Sequence, residues 1–145
     1  MNQRIGNISN YLGALILLTF GLIYLFKTSF MPYHSEAISI NWNEVESSLQ
    51  FLLLAFMRAV SGGFIATSIV IIILQKKFSS SKIPWIPWLI LAAGLIITST
   101  TIYATIIVRI NSPGKPPTTL AIVGIVLLVI GYIFNRRTLN ALPKK

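Results

Sequence analysis

The sequence contains no cysteine, no aspartate, three glutamates and one histidine in 145 residues. The absence of cysteine excludes disulfides, thiol catalysis and thiolate metal sites. A lone histidine also argues against a bound metal, because stable sites collect three or four ligands; no cofactor is expected. Charged residues make up only 10% of the chain and hydrophobic residues 54%, whereas about a quarter of a soluble domain is charged. The scarcity of charge therefore favours a membrane protein over an ordinary soluble domain.

The formal net charge is +9, a value that is often associated with nucleic-acid binding. Here, however, the basic residues lie in short blocks at the ends of apolar runs. A nucleic-acid-binding protein needs a basic face with interleaved aromatics on a soluble fold, and the sequence has no such pattern. Lys and Arg beside membrane spans set orientation and contact anionic head groups. The charge therefore predicts membrane lipids as partners and no nucleic acid.

Four apolar runs are each long enough to cross a bilayer. They predict an all-α integral membrane protein, a four-helix bundle of up-down-up-down order that forms a single transmembrane domain over residues 1–145. The predicted spans are approximately 8–27, 49–75, 84–110 and 118–135, and an outer loop, 28–48, includes the start of the second helix. The first run resembles a signal peptide, but no A-x-A-like site follows it. We therefore expect it to be retained as a span.

The second span has the most informative pattern. Asn41 followed by Glu44 matches a capping box, which predicts that this helix starts before the membrane, near Asn43. The basic segment 76–82 is expected to be a loop. Five small residues at helical spacing predict the face that packs on the other helices: Ala55, Ala59, Gly62, Gly63 and Ala66. Because Arg58 lies among them, it is expected to point into the bundle.

The basic residues divide unequally between the two sides of the predicted membrane. One side carries eight Lys or Arg and no acidic residue, in the N-terminal segment, the segment 76–82 and the C-terminal tail. The other side carries Lys27, Arg109 and Lys115 together with all three Glu. The positive-inside rule then predicts that both termini lie in the cytoplasm.

An arginine at membrane depth is by default a functional-site hypothesis. Helical side chains lean toward the N-terminus, so Arg58 is expected to reach toward the outer loop. The candidate ligand-binding residues are Arg58, Arg109, His34, Tyr103 and Thr105, with Glu36, Glu44 and Glu46 as structural or electrostatic partners. The alternative, given equal weight, is that Arg58 pairs with a Glu or with loop carbonyls and only pins the loop over the bundle.

Three stretches carry a resemblance: the sequence MPYH at 31–34, the sequence LAFMRAVSGG at 54–63, and the sequence YATIIVRINSPGKPP at 103–117. Together they resemble a group of small four-span bacterial membrane proteins with no assigned activity. The resemblance implies a location in the bacterial inner membrane and no particular substrate. The chain is not similar to small multidrug transporters, since its first span has no membrane-embedded Glu.

Three functions from different classes follow. The first is a non-enzymatic protein whose outward-facing polar site binds an anionic or amphipathic ligand such as a lipid or fatty acid. Arginine suits this role because its guanidinium group can form two hydrogen bonds with one carboxylate or phosphate. The second is an accessory or scaffold subunit, or a homo-oligomer, that packs through its Gly and Ala faces. The third is a membrane enzyme that acts on an amphiphilic substrate, with His34 as the general base and Arg58 binding an oxyanion or a phosphate. No nucleophile lies at diagnostic spacing, so no catalytic residue is assigned.

Overall fold

The computed structural model describes residues 1–143, and all the regular secondary structure in this part of the chain is helical. Four helices are long and apolar enough to cross a membrane. They are α1 (Asn2–Phe26), α3 (Ser47–Ser81), α4 (Ile86–Asn111) and α5 (Thr118–Asn140), and between α1 and α3 lie a short helix α2 (Pro32–Ile38) and a 3₁₀ turn (Trp42–Glu44). The prediction of an all-helical chain with four candidate spans is confirmed.

Helix α3 differs from its prediction at both ends. The Asn41 backbone N–H does donate to Glu44 Oε2 at 3.3 Å, but this cap serves the 3₁₀ turn, and α3 begins only at Ser47. The loop expected over 76–82 is wrong, because the helix continues to Ser81 and ends where Lys82 adopts a positive φ of 51°. Lysine is a good helix former, and Phe78, which is fully buried, anchors this last part of the helix.

The helices α1 and α5 pack closely because small residues face large ones. A Cβ atom added to Gly6 would lie 2.4 Å from Asn135 Oδ1, and one added to Gly131 would lie 1.9 Å from Asn10 Oδ1. Further along α1, Gly13 faces Leu128. The facing positions run in opposite order along the two helices, so each glycine receives a side chain of its neighbour, as in knobs-into-holes packing.

The buried face of α3 is not the one predicted. Its buried residues recur at steps of three and four: Met57, Ser61, Phe64, Ser68, Ile71, Gln75 and Phe78. None of the small residues Ala55, Ala59, Gly62, Gly63 and Ala66 is among them, and all five are exposed. The close approach is instead provided by the neighbouring helix, since Gly21 of α1 lies against Ile65 of α3. Helix α3 thus contributes the larger side chains to this interface, and α1 contributes the glycine.

The four long helices form a ring of neighbours, in which α1 contacts α3 and α5, and α4 contacts α5 and α3. We call the end of the ring that carries segments 27–46 and 112–117 the loop end, and the opposite end the terminus end. At the loop end, Phe30 and Val45 form a small core with Met57 of α3. The Lys115 backbone N–H donates to Glu36 Oε2 at 3.2 Å and joins α2 to the α4–α5 connection. Segment 27–46 is therefore a folded cap over the loop end.

Candidate functional site

A cleft of about 210 Å³ lies between the loop-end halves of α3 and α4. Helix α3 contributes Val60 and Phe64, and the α4 wall consists of Thr101, Ala104, Thr105 and Val108. Residues Tyr24 of α1 and Tyr33 and His34 of α2 complete the lining. A second groove, of about 240 Å³, continues along α3 past Leu53, Phe56 and Met57 and shares Tyr24, His34 and Val60 with the cleft.

The cleft exists because α3 and α4 separate toward the loop end. Their contact is less extensive than that of either helix with its other neighbour. A Cβ at Gly63, on the side of α3 that faces α4, would meet only Ile97, at 3.6 Å. The side chain of Val60 is 46% exposed and that of Phe56 60% exposed. The cleft is therefore open sideways, in the direction that faces lipid if the helices span a membrane.

A smaller cavity of about 50 Å³ lies deeper, among α1, α4 and α5, and extends to Thr98, Leu120 and Gly124. It shares five lining residues with the cleft: Tyr24, Tyr33, Phe64, Thr101 and Thr105. These five side chains thus border both the cleft and the deeper cavity.

The polar groups of this region have defined hydrogen-bond roles. The hydroxyls of Thr98, Thr101 and Thr105 donate within α4 to the carbonyls of Gly94, Ile97 and Ile102, at 2.6, 2.7 and 2.9 Å. Each threonine oxygen keeps its lone pairs for another donor. The Tyr24 and Tyr33 hydroxyls are hydrogen-bonded to each other, and burial raises the pKa of Tyr33, so its hydroxyl stays protonated at neutral pH.

His34 is neutral and has a defined tautomer. The Met31 backbone N–H donates to His34 Nδ1 at 3.3 Å, which leaves the proton on Nε2. Burial lowers the pKa of His34 below its usual value of 6.5. The ring also packs edge-on against Phe30 and Tyr33, with centroid distances of 6.3 and 4.3 Å. His34 therefore offers an uncharged N–H donor at the cap side of the cleft.

The structure brings together only part of the predicted site. His34 and Thr105 line the cleft, with Thr101 beside them. Tyr103 lies on another face of α4 and is 69% exposed. Arg109 is exposed near the end of α4 and is not part of the cleft wall. Contrary to the prediction from the sequence, the structure therefore does not bring Arg58 and Arg109 together with His34.

The expectation that Arg58 points into the bundle is wrong. Its side chain is exposed. At roughly 100° per residue, Arg58 lies about 160° around α3 from both Phe56 and Val60, which border the two grooves. The reason is the packing face: α3 buries Met57 and Ser61, and Arg58 falls on the flank between that face and the exposed small residues. Arg58 and His34 consequently do not share a site.

Each of the three glutamates accepts at least one hydrogen bond outside the cleft. Glu36 accepts the Lys115 backbone N–H, and Glu46 accepts the Ser48 hydroxyl at 2.7 Å. Glu44 accepts both the backbone N–H and the side-chain amide of Asn41, and these bonds lower the pKa of the Glu44 carboxyl below its usual 4.5. These carboxylates hold the cap in shape, and none of them lines the cleft.

Sequence reasoning missed a buried amide cluster at the terminus end. Gln75 Oε1 accepts from Asn10 Nδ2 at 2.7 Å and from Asn135 Nδ2 at 2.8 Å, and Gln75 Nε2 donates to Asn7 Oδ1 at 2.6 Å. Asn10, Gln75 and Asn135 are fully buried. A single glutamine therefore ties α3 to both α1 and α5. The available signal was the four amide side chains of Asn7, Asn10, Gln75 and Asn135 at the same end of three apolar runs.

The comparisons with known proteins found no match among family models, curated proteins or solved structures.

Proposed function

We propose that this chain is a non-enzymatic membrane protein that binds an amphipathic ligand, a lipid or fatty acid, in the cleft between α3 and α4. The observation that carries the proposal is the shape and lining of the cleft. Its walls are mainly apolar and it opens sideways past Val60. Its polar side chains are those of Tyr24, Tyr33, His34, Thr101 and Thr105, and two of them, Tyr33 and His34, belong to the cap. Such a space accepts an acyl chain from the bilayer and holds its polar end near the interface. Binding sites are commonly apolar clefts with a few placed polar groups.

The proposal includes a membrane topology. We place the four long helices across the bacterial inner membrane in up-down-up-down order, with both termini in the cytoplasm. Support comes from the four apolar helices and from the excess of Lys and Arg at the terminus end. Because the chain has no cysteine, single cysteines at Lys77 and Lys115 allow a direct test with a membrane-impermeant maleimide. Labelling of intact cells at position 115 and not at 77 supports this orientation, and the reverse contradicts it.

A blocked cleft tests the binding function. Replacing Val60 with tryptophan puts a large ring at the mouth of the cleft, and we expect the co-purifying lipid to be lost when the variant is analysed by native mass spectrometry. Replacing Val70 with tryptophan is the matched control, because Val70 lies on the same helix and is 42% exposed against 46% for Val60 but does not line the cleft. The control should keep the bound lipid.

The two variants must first be shown to elute as the same folded particle as the parent protein. If the parent carries a stoichiometric lipid and the Val60→Trp variant carries it equally, the cleft is not the binding site. If the parent carries no lipid after extraction in mild detergent and binds none on addition, the proposed function itself is wrong.

A second candidate function, an accessory subunit or homo-oligomer, has one observation in its favour. The exposed residues Ala55, Ala59, Gly62 and Ala66 form a small-residue stripe along α3, of the kind that allows close packing of membrane helices. A Gly62→Ile variant should dissociate such an assembly. Cross-linking in mild detergent that finds only monomers of the parent protein, with no co-purifying partner, removes this candidate.

A further inference from the structure

The polar end of the ligand can be specified from the chemistry of the lining. Among residues 1–143, no side chain that is charged at neutral pH lines the cleft, the groove beside it or the deeper cavity. His34 is the one titratable base there, and burial keeps it neutral. An anionic head group inside these spaces would lack a counter-charge, which is costly at membrane depth.

The hydrogen-bond acceptors of the lining further restrict the kind of head group that can bind. The O–H groups of Thr98, Thr101 and Thr105 are all used within α4, so toward the open space these residues present acceptor oxygens. Carboxylates, phosphates, ketones and ethers only accept hydrogen bonds, so they find no donor among these threonines. A ligand with an O–H group can donate to a threonine oxygen, which an acceptor-only group cannot do.

The lining also supplies donors for the oxygen of such a group. In the hydrogen-bonded pair Tyr24–Tyr33 one hydroxyl donates to the other, which leaves one O–H for a ligand. His34 Nε2–H is a second donor, since Nδ1 is occupied by the Met31 backbone N–H. A hydroxyl group is the simplest head group that can donate to a threonine oxygen and accept from the free tyrosine O–H and from His34 Nε2–H. It therefore matches both the acceptors and the donors of the lining.

We propose, resting on the binding function above, that the ligand is a long-chain lipid with an uncharged hydroxyl head group, such as a fatty alcohol or a monoacylglycerol. Its hydroxyl donates to Thr101 or Thr105 and accepts from His34 or from whichever of Tyr24 and Tyr33 keeps its O–H free. This assignment replaces the anionic ligand that Arg58 and Arg109 suggested in the sequence, since both arginines are exposed and neither lines the cleft.

The test uses the full chain in nanodiscs and a photoactivatable hexadecanol with a diazirine in its chain. Irradiation should label α3 and α4 at the cleft, as mapped by peptide mass spectrometry. Unlabelled hexadecanol, hexadecanoate and hexadecyl methyl ether then compete for the site. Because one neutral hydrogen bond is lost with the ether, we expect hexadecanol to compete about three- to tenfold more strongly than the ether, and more strongly than hexadecanoate.

A pair of variants separates hydrogen bonding from packing. The double substitution Thr101→Val and Thr105→Val keeps the shape of the wall and removes its acceptors; it should abolish the preference for hexadecanol over the ether. Thr100→Val is the matched control, because the Thr100 hydroxyl donates within α4 in the same way, to Ile96 O at 2.9 Å, but Thr100 is exposed and lines neither space. It should keep the preference.

The outcomes distinguish this inference from the function on which it rests. If the probe labels the cleft and Val60→Trp prevents labelling, but hexadecanoate competes as well as hexadecanol or better, the cleft binds amphiphiles and the hydroxyl assignment is wrong. The hydroxyl assignment is equally wrong if the double valine variant retains the preference. If no probe labels the cleft in preference to the lipid-facing surface, the proposed binding function fails as well.

Discussion

Replacing Gln75 with leucine removes the side chain that joins three helices in the buried amide cluster. Leucine leaves the Asn10 and Asn135 side-chain N–H groups without the acceptor that they share at 2.7 and 2.8 Å. An unsatisfied buried donor costs about 1–3 kcal/mol, whereas interhelical bonds in membrane proteins average about 0.6 and reach about 1.7 kcal/mol. Taking about 1–2 kcal/mol for each of the two donors, we expect a loss of about 2–4 kcal/mol in the free energy of unfolding.

The assay is unfolding by SDS titration in mild-detergent micelles, followed by tryptophan fluorescence. Trp88 is a suitable reporter, because its ring lies 4.7 Å from that of Tyr132 across the α4–α5 interface. Gln50→Leu is the matched control, since the half-exposed Gln50 side chain donates a single bond, to Trp42 O at 2.7 Å, and its loss should cost less than about 1 kcal/mol. Equal stability of the two variants would refute the idea that the amide cluster stabilises the bundle.

Two further predictions concern packing and pH. Gly131→Ala places a methyl group 1.9 Å from Asn10 Oδ1 and should destabilise the fold by about 1–3 kcal/mol. Gly62→Ala is the control, because a methyl group there has nothing within 4 Å. In the same titration it should leave stability unchanged or raise it by up to about 1 kcal/mol. Because burial lowers the folded-state pKa of His34 below 6.5, the unfolded chain takes up the proton first as the pH falls; stability should therefore decrease from pH 6.5 down to the folded pKa and level off below it. A His34→Gln variant should lose this dependence, and a parent protein equally stable across that range would contradict the assigned burial.

Much of the helix content could be predicted, because the length and apolarity of the four runs leave little alternative in a bilayer. The ends of α3 could not. The charge of the Lys and Ser run after residue 75 suggests a loop, yet lysine favours helix and Phe78 is buried. At the other end, the Asn41–Glu44 box is present as predicted, but a capping pattern does not say whether it precedes a long helix or a single 3₁₀ turn.

The candidate site was only partly predictable for a different reason. Placing Arg58 required knowing which face of α3 is buried, and small residues alone gave the wrong face, since the close contact uses Gly21 of the neighbouring helix. The cleft depends on how far α3 and α4 separate, which no local pattern encodes. Thr105 and His34 could be identified because they lie at the same end of the predicted bundle. The hydrogen bond between Tyr24 and Tyr33 could not, because it depends on how α2 packs over the end of α1.

The most direct test of the central claim is an experimental structure of the protein in nanodiscs made with its native lipids. We expect elongated non-protein density between α3 and α4 that passes Val60 and ends within hydrogen-bonding distance of Thr105, Tyr33 or His34. The same experiment on the Val60→Trp variant should show no such density. A cleft that is empty in the parent protein, or closed by direct contact of α3 with α4, would contradict the claim that it binds a lipid.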